Sequence, residues 1–372
     1  LRAYQKLATF IREKFNIPVI AVTGSNGKTT TKELLYSLLT YKFKHILKTR
    51  ENFNNEIGVP KTLMELSTSN DCAVLEFAMR GPGEIALLAD IAHPTAGVIT
   101  TVGEAHIGRL GSRENIARAK GELITGLPSD GLAVLNRDND WYDFLSSLVS
   151  CKHMRTFGLS DNADVFADNI VERGIEGTEL DVHFNNRVER VFFPVIGTYN
   201  IYNLLASVSV ASYLIEDLSL SSALKSFIPP PSGRTRIINT EHIKIIDDTY
   251  NSNPLAVKSI IDTMVKHFPD NRKILVLGDM LELGEEEITA HSKAGEWARE
   301  YGIDYLFTFG PLGCHTAKAS SGAGTESFYF QEKSSLMKGL LNIIKAGDVI
   351  LVKGSRGMHM EEIVESLLDR VK

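Results

Sequence analysis

Hydrophobic and polar positions change rhythm three times along this chain. Residues 19–23, 73–77, 97–102 and 132–136 are short apolar runs, and stretches with helical spacing follow several of them. Alternation of that kind predicts a mostly parallel sheet covered on both faces, with ligands at the carboxyl ends of the strands. Beyond Cys151 the period shortens to two. Residues 165–172, 179–184 and 188–193 read as short antiparallel strands, punctuated by Gly174, Gly177 and the pair Asn185-Asn186. A helix is expected over 201–214. The string Pro229-Pro-Pro-Ser-Gly-Arg234 breaks regular structure and reads as a stiff hinge. A second strand–helix series follows, with strands at 243–246, 273–277, 305–309 and 349–352. Asn253-Pro254 is an N-cap and first-turn pair for a helix through Val265.

At the start of the chain, Leu1, Tyr4, Leu7, Ala8, Ile11 and Phe15 form one helical stripe. The expected division is a connector helix (1–16), a central domain (17–228), a hinge (229–236) and a doubly wound, Rossmann-like carboxyl-terminal domain (237–372). The chain opens on Leu1 and not Met, so a preceding portion is expected to lie outside this sequence.

One segment assigns chemistry to the first sheet. Thr23-Gly-Ser-Asn-Gly-Lys-Thr-Thr-Thr31 stands between the first apolar run and the leucines of 32–39. Strand, glycine loop, Lys-Thr and helix form a phosphate-binding loop for a nucleoside triphosphate. Gly24 and Gly27 admit backbone N–H groups to phosphate, with Ser25, Asn26 and Thr30 completing the loop. Lys28 neutralises the outer phosphates, and the Thr29 hydroxyl suits Mg²⁺. Only Ser25 and Asn26 separate the glycines, so the loop is a shortened variant.

Composition narrows the alternatives. With 43% hydrophobic and 23% charged residues, the 372-residue chain resembles a two-domain cytoplasmic protein. Its net charge of −6 speaks against a general nucleic-acid surface. Cys72, Cys151 and Cys314 lack metal-ligand spacing and read as buried thiols.

Other candidates stand at strand ends or on one helix. Glu76 either ligates the metal held by Thr29 or faces solvent. His106, in the loop after the third run, is either a surface histidine or a metal ligand. Stepping ~100° per residue along 113–125 puts Ile116, Ala117, Ala119, Leu123 and Ile124 on one face with Lys120 at its centre. Glu114, Arg118 and Glu122 fall opposite. An inward ammonium needs an ion-pair partner, or a lowered pKa that leaves an amine open to carbamate formation with CO₂. Asn200 and Asn203 either cap a helix or read an adenine edge. Asp247 and Asp248 end a strand with no evident partner and suit a ribose or amine. Lys353-Gly-Ser-Arg356 suits a carboxylate or phosphate.

With these residues in hand, the chain resembles the Mur ligases, ATP-dependent amide-forming enzymes of peptidoglycan synthesis. The strings that carry the resemblance begin with the glycine loop and with Asn52-Phe-Asn-Asn-Glu-Ile-Gly-Val-Pro60. Arg80-Gly-Pro-Gly-Glu-Ile85, Ala119-Lys-Gly-Glu122, Asp247-Asp-Thr-Tyr-Asn-Ser-Asn-Pro254, Gly278-Asp-Met-Leu-Glu-Leu-Gly284 and Val352-Lys-Gly-Ser-Arg356 follow in family order. Two of them, 247–254 and 278–284, point to the branch that adds D-alanyl-D-alanine to UDP-N-acetylmuramoyl-tripeptide.

The resemblance implies roles. Lys28 is catalytic and, with Thr29, holds phosphate and a first Mg²⁺ that Glu76 shares. His106 and a carbamylated Lys120 serve a second metal site. Asn203 meets adenine, Asp248 the ribose and Arg234 the terminal phosphate across the hinge. Asn52, Asn54 and Asn55 belong to the nucleotide-peptide site, with Tyr250, Asn251, Asn253, Lys353 and Arg356 as further substrate contacts. A monomer without membrane insertion is expected. The family's amino-terminal UDP-binding domain is expected to fall outside the sequence given, Gly108 stands where relatives usually carry Glu, and Tyr199 where many carry His. Other ligases of the same architecture, folylpolyglutamate synthase or secondary-metabolite ligases, are the nearest rivals. A P-loop kinase or binding module is the rival from another class.

Overall fold

β-Branched and leucine-rich runs too short for helices build two separate sheets. A computed structural model describes residues 1–227, 234–322 and 324–370, with the side chain of Ser226 also outside the description. Residues 229–233 of the expected hinge (229–236) therefore lie outside the described residues. The chain divides into two compact units. The first comprises Leu1–Gly103 and Leu110–Pro229, the second Glu104–Arg109 and Pro230–Lys372.

In the first unit the strands are β1 (Val19–Thr23), β2 (Ile46–Lys48), β3 (Cys72–Glu76), β4 (Ala96–Ile99), β5 (Leu132–Asn136), β6 (His153–Gly158), β7 (Val165–Glu172), β8 (Thr178–Phe184) and β9 (Arg187–Phe193). They form one nine-stranded sheet in the order β2-β3-β1-β4-β5-β6-β7-β8-β9. Pairing is parallel from β2 through β7 and antiparallel across β7, β8 and β9. The antiparallel flank thus continues the parallel sheet, as the change to period two predicts. Every residue of β1 and β3 is buried, which explains their unbroken apolar runs. The helices Lys28–Leu39 and Thr198–Leu214 pack on this sheet, with Leu34, Leu38, Leu204 and Val208 fully buried.

The third run ends earlier than expected. β4 stops at Ile99, and Thr100, Thr101 and Gly103 leave the ladder to hold the glycine loop. The first helix, Arg2–Arg12, also buries a different line. Its inward residues are Gln5, Ala8 and Arg12, whereas Leu1 is 66% and Leu7 46% exposed. Arg12 explains the difference, because its guanidinium donates to the carbonyls of Ala92, His93 and Phe15.

The second unit holds β10 (Arg236–Asn239), β11 (Lys244–Asp248), β12 (Lys273–Gly278), β13 (Tyr305–Phe309), β14 (Glu326–Phe330) and β15 (Val349–Lys353). Their order is β10-β11-β15-β12-β13-β14, parallel except for β10. Doubly wound architecture was expected; the antiparallel edge strand β10, at the end of the expected hinge, was not. Of the cysteines, Cys72 and Cys151 are buried and Cys314 only half-buried, and burial pushes the Cys72 thiol up to about 12.

Candidate active site

The glycine loop turns between β1 and the helix Lys28–Leu39 by means that only glycine permits. Gly27 caps the helix at φ +83°, and a Cβ there would lie 2.1 Å from Asn203 Oδ1. A Cβ at Gly24 would lie 1.8 Å from Thr100 Oγ1. The two residues between them are fixed from the next strand. Ser25 N donates to Thr101 O at 2.8 Å, Gly103 N to Ser25 Oγ at 2.9 Å, and Thr100 Oγ1 to Asn26 O at 2.6 Å. Lys28 folds back and donates to Gly24 O at 2.7 Å, and Thr30 is buried in the first helical turn.

Beside the loop, Thr29 Oγ1 donates to Glu76 Oε2 at 2.6 Å, and Asn54 Nδ2 donates to Glu76 Oε1 at 2.9 Å. Glu76 is 2% exposed, so it does not face solvent at the strand end. Threonine hydroxyl, carboxylate and amide carbonyl are hard oxygen donors, and that donor set fits Mg²⁺. Asn54 is tied to the segment after β3 a second time, through Ala78 N to Asn54 O at 2.8 Å. Asn52 is exposed on the same turn, while Asn55 Oδ1 accepts from Ile57 N and Gly58 N and caps the helix that follows.

Lys120 lies on the helix Arg113–Thr125, capped by Ser112, whose side chain accepts from Asn115 N. At 2% exposure it points inward, as the helical spacing requires. Among the described residues no hydrogen bond or ion pair holds its amine. Burial, and secondarily the charge of Lys28, push its pKa well below the ordinary lysine value. Glu122 on this helix is half-buried. Its carboxylate accepts from Gly83 N at 2.7 Å and Ala86 N at 3.0 Å, capping the helix Glu84–Ala92.

Asn203 sits beneath the loop. Thr31 Oγ1 donates to its Oδ1 at 3.3 Å, and its Nδ2 donates to Asn200 Oδ1 at 3.1 Å. Asn200 in turn donates to Ile196 O at 2.8 Å.

In the second unit the carboxyl ends of β11 and β15 meet. Lys353 Nζ lies 2.5 Å from Asp248 Oδ2 and donates to Asn251 O at 2.8 Å. Asp248 Oδ1 also accepts from Thr235 N and Oγ1, and Asp247 Oδ1 accepts from Thr249 Oγ1. Both acids are therefore partnered, contrary to the sequence reading. Arg234 stacks on Tyr250 at 3.7 Å, with Arg356 at 6.0 Å from the same ring and paired to Glu361. Asn253 caps the helix Pro254–His267 by accepting from Ala256 N.

His106 belongs to the segment Glu104–Arg109 of the second unit, and its Nδ1 lies 2.7 Å from Glu282 Oε2. Arg109 donates to the other oxygen at 3.1 Å, and Gly108 N to Glu282 O at 3.1 Å. A Cβ on Gly108 would lie 2.4 Å from Gly284 N, which explains why no larger residue stands there in this arrangement. Glu282 was missed as a site residue because its partners are distant in sequence. Among the described residues no three His, Cys, Asp or Glu side chains group as a metal cluster.

A phosphate loop, an acidic residue hydrogen-bonded to its Thr, and two α/β units together define a nucleotide-dependent P-loop enzyme. The Mur ligase middle domain matches residues 22–211, and the Mur ligase glutamate ligase domain matches 233–356. The chain belongs to the Mur ligase family of ATP-dependent ligases. It is 38% identical to a UDP-N-acetylmuramoyl-tripeptide–D-alanyl-D-alanine ligase of Synechocystis, over 99% of this chain and 78% of that one. The enzyme of the same name from Bacillus subtilis is 37% identical over 99% and 80%. The crystal structure of MurF from Acinetobacter baumannii superposes with TM-score 0.90 at 30% identity, covering 99% of this chain and 80% of that one. MurF from Thermotoga maritima, solved with ADP, gives 0.88 at 29% over 100% and 84%. A folylpolyglutamate synthase from Mycobacterium tuberculosis, at 15% identity over 98% and 94% with TM-score 0.75, shares the fold alone. No helix of the described residues is long and apolar enough to cross a membrane.

Proposed function

We propose that this chain joins D-alanyl-D-alanine to UDP-N-acetylmuramoyl-tripeptide at the expense of ATP, as a cytoplasmic monomer in peptidoglycan precursor synthesis. The observation that carries the reading is the joint presence of the Lys28–Thr29–Glu76 loop and the partnerless buried Lys120, in a chain similar almost end to end to ligases of that name.

The chemistry starts from two anions that repel each other, a peptide carboxylate and ATP. Lys28 leaves Gly24 O for the outer phosphates and neutralises them. Thr29 and Glu76 would hold Mg²⁺, which supplies further neutralisation of the phosphate oxygens when bound. A carboxylate oxygen attacks the γ-phosphorus, ADP leaves, and an acyl phosphate forms. The dipeptide amine then adds to its carbonyl, and collapse of the tetrahedral intermediate releases phosphate and leaves the amide. Asn203 retains one N–H and one lone pair for an adenine edge. Asp248 is assigned to the ribose, Arg234 to the terminal phosphate, and Tyr250, Asn251, Asn253, Lys353 and Arg356 to the substrates. Asn52, Asn54 and Asn55 are assigned to the nucleotide-peptide. Lys120, as the carbamate formed when its neutral amine adds CO₂ and loses a proton, would offer anionic oxygens to a second metal, and His106 is assigned to metal binding on the resemblance alone. The lowered pKa of Lys120 and the neighbouring charge of Lys28 support that carbamate, since one favours the amine and the other the anion.

The test is acceptor dependence. ADP release is expected only with both the nucleotide-tripeptide and D-alanyl-D-alanine present, and mass spectrometry is expected to show one new amide per ADP. Turnover with glutamate and a folate in place of these substrates, or a phosphorylated acceptor, would overturn the assignment.

A further inference from the structure

His291 is a buried histidine outside the site just described. It lies on the helix Glu287–Glu300 and is 2% exposed. Its Nδ1 is 2.6 Å from the carbonyl of Glu287, so this nitrogen donates. Its Nε2 is 3.0 Å from Met280 N, so this one accepts. Both contacts are satisfied at once only by the uncharged ring protonated on Nδ1.

The accepted N–H belongs to the loop 280–284, which leaves β12. Two bonds fix Asp279, just before that loop, and one fixes Leu281 within it, at the carboxyl ends of the strands. Asp279 O accepts from Ser355 N at 3.1 Å, Asp279 Oδ2 from Leu312 N at 3.1 Å, and Ser355 Oγ from Leu281 N at 2.9 Å. The same loop carries Glu282, which takes Nδ1 of His106 at 2.7 Å. A carboxylate at Nδ1 puts the proton there and the lone pair on Nε2, the state that suits a histidine for metal or proton work.

We propose that His291 is a positioning residue: by accepting the Met280 N–H it holds the loop 280–284 so that Glu282 keeps His106 in its Nδ1–H tautomer. The consequence is a built-in acid sensitivity. The charged groups facing the ring are Asp279 from the end of β12, Glu287 from its own helix and His315 from the helix Gly313–Ser320. Burial dominates over the two acids and pushes the His291 pKa down, while burial pushes that of Asp279 up. The uncharged ring therefore prevails at neutral pH. Protonation at lower pH places a proton between Nε2 and Met280 N, removes the loop's acceptor and draws the ring toward Asp279 Oδ1, 3.6 Å away and without a hydrogen-bond partner.

The kinetic arm of the test rests on the ligase reading; the spectroscopic arm does not. His291→Leu keeps bulk and loses the acceptor, and His291→Gln offers Oε1 to Met280 N–H without titrating. With ¹⁵N-labelled histidine, His106 in the parent protein is expected to show the Nδ1–H pattern, and His291→Leu to lose it. The kcat of His291→Leu is expected to fall about tenfold with KM for ATP within about twofold, as for outer partners of functional histidines. His291→Gln is expected to restore kcat and to move the acid limb of the pH profile downward. A His291→Leu protein with the parent His106 spectrum overturns the proposal, as does a folded His291→Gln no better than His291→Leu. Should His291→Leu fail to fold, His291→Gln, which keeps an acceptor for Met280 N–H, must keep the parent His106 pattern, and its loss is the contrary result. A parent protein with the expected spectrum and no ligase turnover would instead contradict the proposed function and leave this inference standing.

Discussion

Lys28→Ala lowers ADP release about 10²–10³-fold, the range measured when one preorganised charge-stabilising group is removed. The reason is local. Lys28 is half-buried at the helix start and donates to a loop carbonyl, Gly24 O, at 2.7 Å. Its loss removes the cation that meets the phosphates and opens no cavity in the apolar core below. The unfolding temperature should consequently stay near that of the parent. Steady-state ADP release with both substrates, read beside a thermal melt, checks both halves. Ordinary turnover in Lys28→Ala would remove the phosphate-loop assignment.

That loop was legible because every part of it is local: an apolar strand, two glycines, Lys-Thr and a leucine-spaced helix within about twenty residues. Lys120 was legible for the same reason, since helical spacing alone set it among Ile116, Leu123 and Ile124. The antiparallel flank announced itself by its period. What escaped was decided by distant partners. β2 has three residues and no alternation to reveal it, and β6 mixes His153 and Arg155 into its run. The inward face of the first helix was misread because Arg12 buries its charge against carbonyls about eighty residues away. Glu122 looked like an exposed helix residue until the N–H groups of Gly83 and Ala86 came to it. Asp248 looked unpaired because Lys353 lies 105 residues further along the chain. The pairing of His106 with Glu282, 176 residues apart, had no local signal at all.

The second large effect concerns Lys120. Lys120→Ala should be nearly inactive, and a small carboxylate such as formate or acetate should restore part of the rate by occupying the place of the carbamate. Lys120→Arg should be inactive and resist rescue, because its cation fills that place. Lys120→Met separates chemistry from packing, since it keeps the buried stem and removes only the amine. The stability signs follow from the lowered pKa. The unfolded lysine binds a proton below its ordinary value while the folded amine does not, so the uncarbamylated parent loses stability as pH falls below that value. Lys120→Met lacks this penalty and should melt no lower than the parent at neutral pH. In a crystal grown with bicarbonate, three extra heavy atoms are expected beyond Nζ of Lys120. A plain ammonium paired with a carboxylate under those conditions would exclude the carbamate, and full activity in Lys120→Met would exclude any role for the amine.

In the proposed reaction an acyl phosphate links ATP cleavage to amide formation, and isotope transfer reads it directly. With ¹⁸O in the reacting carboxylate of the tripeptide, one labelled oxygen becomes the bridge to phosphorus and departs with phosphate when the amine attacks. One ¹⁸O is expected in each phosphate released with the amide product. Phosphate free of label, formed together with amide, would contradict it.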